Sequence, residues 1–379
     1  MPHLQHSLIV FKVGYTYLQF FIALGQITRM PRLSTITRTV LIVALVACIT
    51  RTLQAQTRFH QTHRAMGTEF TLDLYAKDEA TATQIADEAF EEIDRLETLL
   101  SNYRPSSELS RISREAGNSP ITTDPETFAF LTRSQYWSRE SHGAFDITVG
   151  PLLRAWGFYF HGGRIPSDAE LTALRSKIGW QNIALDAGTR TVQFRNKQPM
   201  DLDPGSIGKG FAVDRVVALL HDRGITSAFL SAGGSTLYAI GTPPNEKGWP
   251  VNIPDSATLG KIFDTILLKD ESLSTGACTE KFFIKDGHRY CHIFNPLTMR
   301  PVEGMLQTTV IDPSATDSDA LSTVAFVLDP AATRAFFEPL KSTRVLLFTK
   351  GSTGLSCIAI HWPNEACQAP EPSNKKEPH

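Results

Sequence analysis

The sequence predicts an α+β protein folded as one unit from about residue 56 onward. Three observations lead there. Alternating apolar runs, which suit half-buried strands, are interleaved with stretches of helical apolar spacing. No segment recurs at a period of about 20–50 residues, which excludes solenoids and propellers. The 379 residues are 42% hydrophobic and 20% charged, enough to bury a full core and to exclude wholesale disorder. The 37 Lys plus Arg against 39 Asp plus Glu give a net charge of −2, so the chain lacks the basic field that nucleic acid requires as a partner.

Residues 1–29 read as a possible upstream extension. Its apolar stretch at 8–27 is interrupted by Lys12, Gln19 and Gln26 and is barely long enough to cross a bilayer. Met30 opens a better export signal over 30–55: Arg32 and Arg38 form a basic region, and Val40 to Ala47 an apolar one. That run ends in Leu45-Val46-Ala47-Cys48, which resembles the bacterial lipobox, in which the cysteine is lipidated and becomes the first mature residue. The rival reading is a secretory signal cut after Ala55. Both export the protein, to the periplasm or the outer face of the inner membrane, with a lipid anchor at Cys48 if the lipobox is used.

One domain then spans 56–368. MGTEFTLDLY (66–75) alternates as a strand, and Glu79 to Leu100 places Ala82, Ile85, Ala86, Ala89, Ile93, Leu96 and Leu100 at helical spacing. A second helix is predicted over Pro125 to Ser141, closed by Gly143. A third begins at Asp203-Pro204, where Asp suits the cap and Pro the first helical position, and ends at Gly224. Strands follow at 226–232, 236–240, 249–253 and 263–268, then a hairpin at 280–293 around Asp286-Gly287 and a fourth helix from Asp317 to Val327. The tail at 369–379 is charged, contains Pro and reads as disordered. Beyond Cys48, the cysteines are Cys278, Cys291, Cys357 and Cys367. Export permits disulfides among these four, and four free thiols are the other reading. No CxxC or Cys/His spacing suggests zinc.

Three clusters can carry chemistry. DPGSIGKGFAVD (203–214) sets Gly205, Gly208 and Gly210 around Ser206 and Lys209 at a helix start, a place that receives phosphate through free N–H groups and the helix dipole. It is not a Walker A loop, since Asp203 stands where the first Gly is needed and Gly210 follows the lysine. The same glycines also suit a plainly capped turn. In DSDALSTVAFVL (317–328), Asp319 shares a helix face with Ser322 and Thr323, a sparse oxygen set adequate for Mg²⁺; acidic residues in a first helical turn equally serve the dipole. In CHIFNPLTMRPV (291–302), His292 ends a strand, as structural histidines often do; beside a metal-bound phosphate it would be a general acid or base.

Taken together, MGT at 66–68, LSNY ending at Tyr103, GAFDITVGPL (143–152), DPGSIGKGFAVD, SAGG (231–234), HIFNPLTM and SDALSTVAFVLD resemble, in order and spacing, the ApbE family of FAD:protein FMN transferases. The resemblance runs from about Met66 to Asp329 and implies a two-lobed α+β fold related to T-fold flavin proteins, with mixed and antiparallel sheets flanked by helices. It implies FAD as substrate, with Met66, Tyr103, Ala144, Phe145, Asp146, Asp203, Lys209 and Ile293 at FAD-contacting positions. Ser206, Asp319, Ser322 and Thr323 match positions around Mg²⁺. The implied reaction is transfer of FMN to a threonine of an acceptor flavoprotein with release of AMP, and His292 is assigned the proton transfer. DPSATD (312–317) lacks the Gly of the family's acceptor motif, so self-flavinylation is not expected. The chain departs from the family at Asn295, where an Asp is usual, and at Met299, where a Gly is usual, and STGACTEKFF (274–283) blurs a Ser-Gly-aromatic-Glu segment. Two alternatives stand beside transfer: Mg²⁺-dependent hydrolysis of FAD to FMN and AMP, and flavin binding without turnover. Retention of Asp319 and His292 argues against the second.

Overall fold

The computed structural model describes residues 57–159, 162–256, 258, 260–279, 281–351, 354–362 and 367. The export signal, Cys48 and the C-terminal tail lie outside the described residues. Contacts divide the chain into Met1–Thr57 and Arg58–His379, and the fold belongs to the second unit.

Its centre is an eight-stranded sheet whose spatial order is its chain order: β1 (Thr57–Ala65), β2 (Thr68–Ala76), β3 (Ala228–Ala232), β4 (Thr236–Ile240), β5 (Glu271–Ala277), β6 (Met305–Asp312), β7 (Arg344–Gly351) and β8 (Gly354–Ile360). Every register from β2 to β8 is antiparallel, so the expected mixture of sheet types resolves into antiparallel pairing. The strand predicted at 66–75 is the second arm of a hairpin. Met66 and Gly67 form its turn with φ of +50° and +71°, the left-handed pair that a two-residue hairpin requires.

Eight helices accompany the sheet among the described residues: α1 (Glu79–Leu100), α2 (Glu108–Glu115), α3 (Pro125–Glu140), α4 (Gly150–Ala155), α5 (Asp168–Leu174), α6 (Gly208–Asp222), α7 (Ala315–Val327) and α8 (Pro330–Phe337). The side chain of Asp78 caps α1 by accepting from the Thr81 N–H, and the apolar spacing read from the sequence is the stripe that α1 buries. β4 is buried along its whole length because both sheet faces are covered. Tyr238 and Ile240 join the core under α1 and α6, while Leu237 and Ala239 join a second core with Trp249, Ile253, Ile266 and Leu268 of the antiparallel hairpin Trp249–Pro254/Ile262–Leu268.

α7 is enclosed nearly all round, which explains its weak amphipathic pattern. Its buried serines find partners inside the protein: Ser318 bonds the hydroxyls of Ser272 and Ser274 at 2.8 Å each, and Thr308 donates to the Ser322 carbonyl at 2.9 Å. α6 lies against α7 so closely that a Cβ on Gly210 would stand 2.1 Å from the Ala315 carbonyl oxygen. Gly210→Ala is expected to cost about 1–3 kcal/mol through forced separation of the helices, measurable by denaturant melting.

A smaller cluster of Leu152, Trp156, Leu171, Phe294 and Met299 lies outside the main cores. It gathers α4, α5 and the ribbon Phe294–Asn295/Arg300–Pro301, with Phe283 and Tyr290 of the hairpin Phe282–Lys285/His288–Cys291 packed against it. That hairpin turns at Asp286-Gly287 as predicted, both residues having positive φ. Disulfides join Cys278 to Cys291 and Cys357 to Cys367, with Cα separations of 5.5 and 5.3 Å. Among the described residues no helix is long and apolar enough to cross a membrane.

Candidate active site

The first group of site residues forms where α1 ends. Ser101 Oγ accepts the N–H groups of Tyr103 and Arg104 at 3.2 and 3.3 Å, and this turn leaves the Tyr103 ring 71% exposed. Asn102 faces inward and donates to Tyr159 Oη at 2.9 Å and to Asp203 Oδ2 at 2.8 Å. The Tyr159 hydroxyl donates to the same Oδ2 at 2.6 Å, and the Gly205 N–H to Oδ1 at 2.7 Å. Asp203 therefore closes a turn and does not cap a helix: α6 starts four residues later than the sequence pattern placed it, at Gly208, after Ile207 and Gly208 have both donated to the Pro204 carbonyl. Burial, and then the Asp203 charge, push the Tyr159 hydroxyl pKa up, so it remains a donor. Tyr103 stands edge-on to Tyr159 with ring centroids 5.5 Å apart.

One turn into α6, the Gly210 N–H donates to Asp319 Oδ2 at 3.0 Å, and Thr236 on β4 donates to Asp319 Oδ1 at 3.2 Å. Lys209 Nζ lies 3.8 Å from Oδ1 and donates to the Gly205 carbonyl at 3.4 Å, linking the two acidic positions. Asp319 is thus a buried carboxylate fixed by α6, α7 and the sheet together. Ser322 Oγ donates to the Asp319 carbonyl at 2.8 Å and keeps its lone pairs, while the Ser206 and Thr323 hydroxyls make no hydrogen bond among the described residues. One carboxylate with nearby hydroxyl oxygens is a hard donor set that fits Mg²⁺, which takes few protein ligands beside water and phosphate. Asp317 belongs to a different environment: Arg133 grips it bidentately and Trp137 Nε1 donates to it at 2.7 Å, so it is committed to holding α3 against α7.

His292 follows the hairpin's second strand. Its Nδ1 faces the Lys281 carbonyl at 2.8 Å, so Nδ1 carries the proton and Nε2 the lone pair. Burial holds the imidazole pKa down to about 4, with the Lys281 and Lys209 ammonium charges adding to the lowering. The ring is neutral at pH 7, and Lys209 is the electrostatic link between it and Asp319.

Ala144, Phe145 and Asp146 precede Ile147, whose carbonyl accepts the Asp203 N–H at 2.7 Å and so ties their segment to the Asp203 turn. Phe145 is wholly enclosed in the main core and Ala144 nearly so. Asp146 accepts from the Thr148 N–H and hydroxyl at 2.8 and 2.7 Å and from the Trp180 N–H at 2.9 Å, yet burial still pushes its pKa up to about 6. It lines a pocket with His142, Gly143, Arg175, Trp180, Leu297 and Met299. Met66 donates its N–H to Glu97 Oε1 at 2.9 Å, and Ile293 packs partly buried on the main core.

The two departures from the family pattern are structurally accommodated. Asn295 Oδ1 accepts from the Leu297 and Thr298 N–H groups at 2.9 and 3.2 Å, as an Asp would. Met299 adopts φ +61° where the family has Gly, and its side chain, 2% exposed, fills the cluster around Trp156 and Phe294. Met299→Gly is therefore expected to be destabilising by about 1–3 kcal/mol in a denaturant titration, because the lost packing exceeds the relieved backbone strain.

Sequence reasoning missed Asn102, Tyr159 and Thr236. Their roles depend on contacts 57 to 101 residues away in the chain for Asn102 and 83 for Thr236; Asn102 stands within the LSNY segment, but nothing in that segment shows that its side chain turns to Tyr159 and Asp203.

The fold recurs in solved structures. The ApbE protein of Thermotoga maritima MSB8 aligns with a TM-score of 0.72 at 27% identity, covering 80% of this chain and 97% of its own. The flavin transferase ApbE of Vibrio cholerae aligns at 0.70 and 27% identity, with the same coverage. Residues 66–347 match the ApbE family model, and the chain belongs to that family. A protein of Treponema pallidum (strain Nichols) named FAD:protein FMN transferase is 30% identical over 279 residues, which are 69% of this chain and 76% of the relative. One of Klebsiella pneumoniae (strain 342) with the same name is 30% identical over 265 residues, 69% of this chain and 80% of the relative.

Proposed function

We propose that this chain transfers FMN from FAD to a threonine hydroxyl of an acceptor flavoprotein and releases AMP. The observation that carries the reading is the buried Asp319 carboxylate, set by Gly210 and Thr236 beside Lys209, with the neutral imidazole of His292 within electrostatic reach of that lysine. Membership of a family whose relatives are named FAD:protein FMN transferase supports it.

In this reading the threonine oxygen attacks the FMN-side phosphorus, the bond from that phosphorus to the bridging oxygen breaks, and the hydroxyl proton passes to His292 Nε2. Lys209 meets the diphosphate charge. Tyr103, exposed and edge-on to Tyr159, offers a ring face for stacking. Met66, Asp146, Asp203 and Ile293 complete the FAD-binding set; Ala144 and Phe145, being enclosed, contribute their backbone. Asp319, Ser206, Ser322 and Thr323 would hold Mg²⁺, which neutralises diphosphate charge and stabilises the leaving AMP. The internal bonds of Asp203 fix the α6 approach and the Tyr159 ring, which makes it an organiser of the flavin site. Two disulfides support action in an oxidising compartment, consistent with export and with a lipid anchor at Cys48.

The test incubates the full chain with FAD, Mg²⁺ and a flavoprotein domain bearing a threonine acceptor motif, following acceptor mass and AMP together. One FMN phosphoester gained per AMP released is the expected result. AMP with free FMN and an unmodified acceptor would replace transfer by FAD hydrolysis, and bound FAD without AMP would leave a flavin binder.

A further inference from the structure

The Cys278–Cys291 disulfide abuts His292, and one potential ligand atom from each of the three residues lies within 4.8 Å of the others. The geometry points to a thiol-gated metal site: once a dithiol reductant opens this disulfide, Cys278, Cys291 and His292 bind a soft divalent cation of the zinc class and withdraw His292 from proton transfer. The inhibitory half of this inference rests on the function proposed for His292; the binding half does not.

The chemistry balances. The dithiol gives two electrons and two protons to the Cys278–Cys291 bond, becoming a disulfide itself and leaving two thiols. The cation then takes two thiolates and one imidazole and displaces two protons to solvent, with water in the fourth tetrahedral position. His292 is already oriented for ligation. Its Nδ1–H is held by the Lys281 carbonyl at 2.8 Å, which leaves the lone pair on Nε2, the arrangement in which a backbone carbonyl orients a metal-bound histidine.

The thiols would also stay together after reduction. Cys291 ends a strand paired from Phe282↔Cys291 to Lys285↔His288, and this ladder does not depend on the disulfide. Arg289 of the same hairpin donates to the Cys278 carbonyl at 3.4 Å, tying the other cysteine to it. Cys278 is only partly buried, so a reductant can reach its sulfur. The sequence hid this site because twelve residues separate the cysteines and the histidine is contiguous with the second, a spacing unlike any zinc motif. The Cys357–Cys367 disulfide has no such histidine partner among the described residues and serves as an internal control.

The full chain is reduced with dithiothreitol, freed of it without oxygen, and titrated with Co²⁺, whose thiolate charge-transfer absorption reports ligation. One Co²⁺ per chain is expected in the reduced protein and none in the oxidised. Cys278→Ser or Cys291→Ser should abolish the absorption, whereas a Cys357→Ser/Cys367→Ser variant should retain it. Zn²⁺ should then stop FMN transfer by the reduced chain alone, with chelation restoring it. A reduced protein that keeps its circular dichroism spectrum yet shows no cobalt–thiolate absorption would overturn the site. Cobalt bound through both cysteines with transfer undiminished by zinc would overturn the gating. If the oxidised chain transfers no FMN at all, the functional reading falls while the cobalt titration still decides the site.

Discussion

His292→Ala is expected to lower turnover in FMN transfer by about 10²–10⁴-fold while leaving FAD binding nearly intact, the range that a positioned general base contributes. The imidazole follows the second strand of a hairpin with its Nδ1 proton committed to the Lys281 carbonyl, so it is placed to accept a proton at Nε2. Its pKa, held down to about 4 by burial and by two ammonium charges, also sets a pH signature. The base is present at every pH above that value, so the acidic limb of kcat/KM attributable to this group should fall near pH 4 and not near the ordinary histidine value of about 6.5. Linkage has the matching sign. Between those pH values the unfolded chain binds the proton that the folded chain refuses, so this group makes stability rise with pH across the window and stop changing above it. Single-turnover kinetics with FAD at saturation and a separate fluorescence titration of FAD would check both halves. A variant that bound FAD poorly and turned over normally once saturated would make His292 a flavin contact and not a base.

Much of the fold was legible because local signals and tertiary demands agree. α1 shows the agreement at its plainest: a cap at Asp78, an uninterrupted apolar stripe and a well-defined end, with boundaries that coincide with the predicted ones. The hairpin at Asp286-Gly287 was equally plain, since only a few residue pairs accept two positive φ values. β1 escaped notice because its register in the sheet is specified by the Met66-Gly67 turn and by β2, while its own TRFHQTHRA sequence is polar and exposed on alternate positions. α6 was started too early because Asp203-Pro204 is a good helix opening in isolation. The carboxylate instead closes a turn onto Gly205 and accepts from Asn102 and Tyr159, long-range partners that no local pattern supplies.

The candidate site divides in the same way. Lys209, Asp319 and His292 could be singled out from residue type and motif, because charge and titration are properties of the side chain itself. What joins them is not in the motifs. Thr236 reaches Asp319 from the first position of a strand, Lys209 spans from Gly205 to Asp319, and the proximity of Cys278 to His292 depends on how the hairpin folds back on β5. Asp317 and Asp319 illustrate the limit: two residues apart on one helix, they are indistinguishable by type, yet Arg133 and Trp137 claim the first and leave only the second facing the lysine.

Asp319→Asn is the sharper test of the cation site than removal of the side chain. Alanine would strand the buried Gly210 N–H, which donates to Oδ2 at 3.0 Å, and cost about 1–3 kcal/mol of stability, so lost activity could reflect unfolding. Asparagine keeps an oxygen for that N–H, and its amide can donate to the Thr236 hydroxyl that now donates to Oδ1 at 3.2 Å. Only the charge is removed, and with it the pairing to Lys209 and the single carboxylate of the proposed Mg²⁺ set. Because metal stabilisation of phosphoryl transfer supplies several kcal/mol at the transition state, transfer should fall about 10²–10⁴-fold at moderate Mg²⁺, with partial recovery only as the metal is raised. The melting temperature should move little, in contrast to Gly210→Ala. Unchanged activity and an unchanged Mg²⁺ titration in a folded Asp319→Asn protein would show that the carboxylate organises α6 against α7 without holding the cation. The metal would then have to be held by the anionic FAD diphosphate oxygens together with the neutral hydroxyls of Ser206, Ser322 and Thr323, with no protein carboxylate among its ligands.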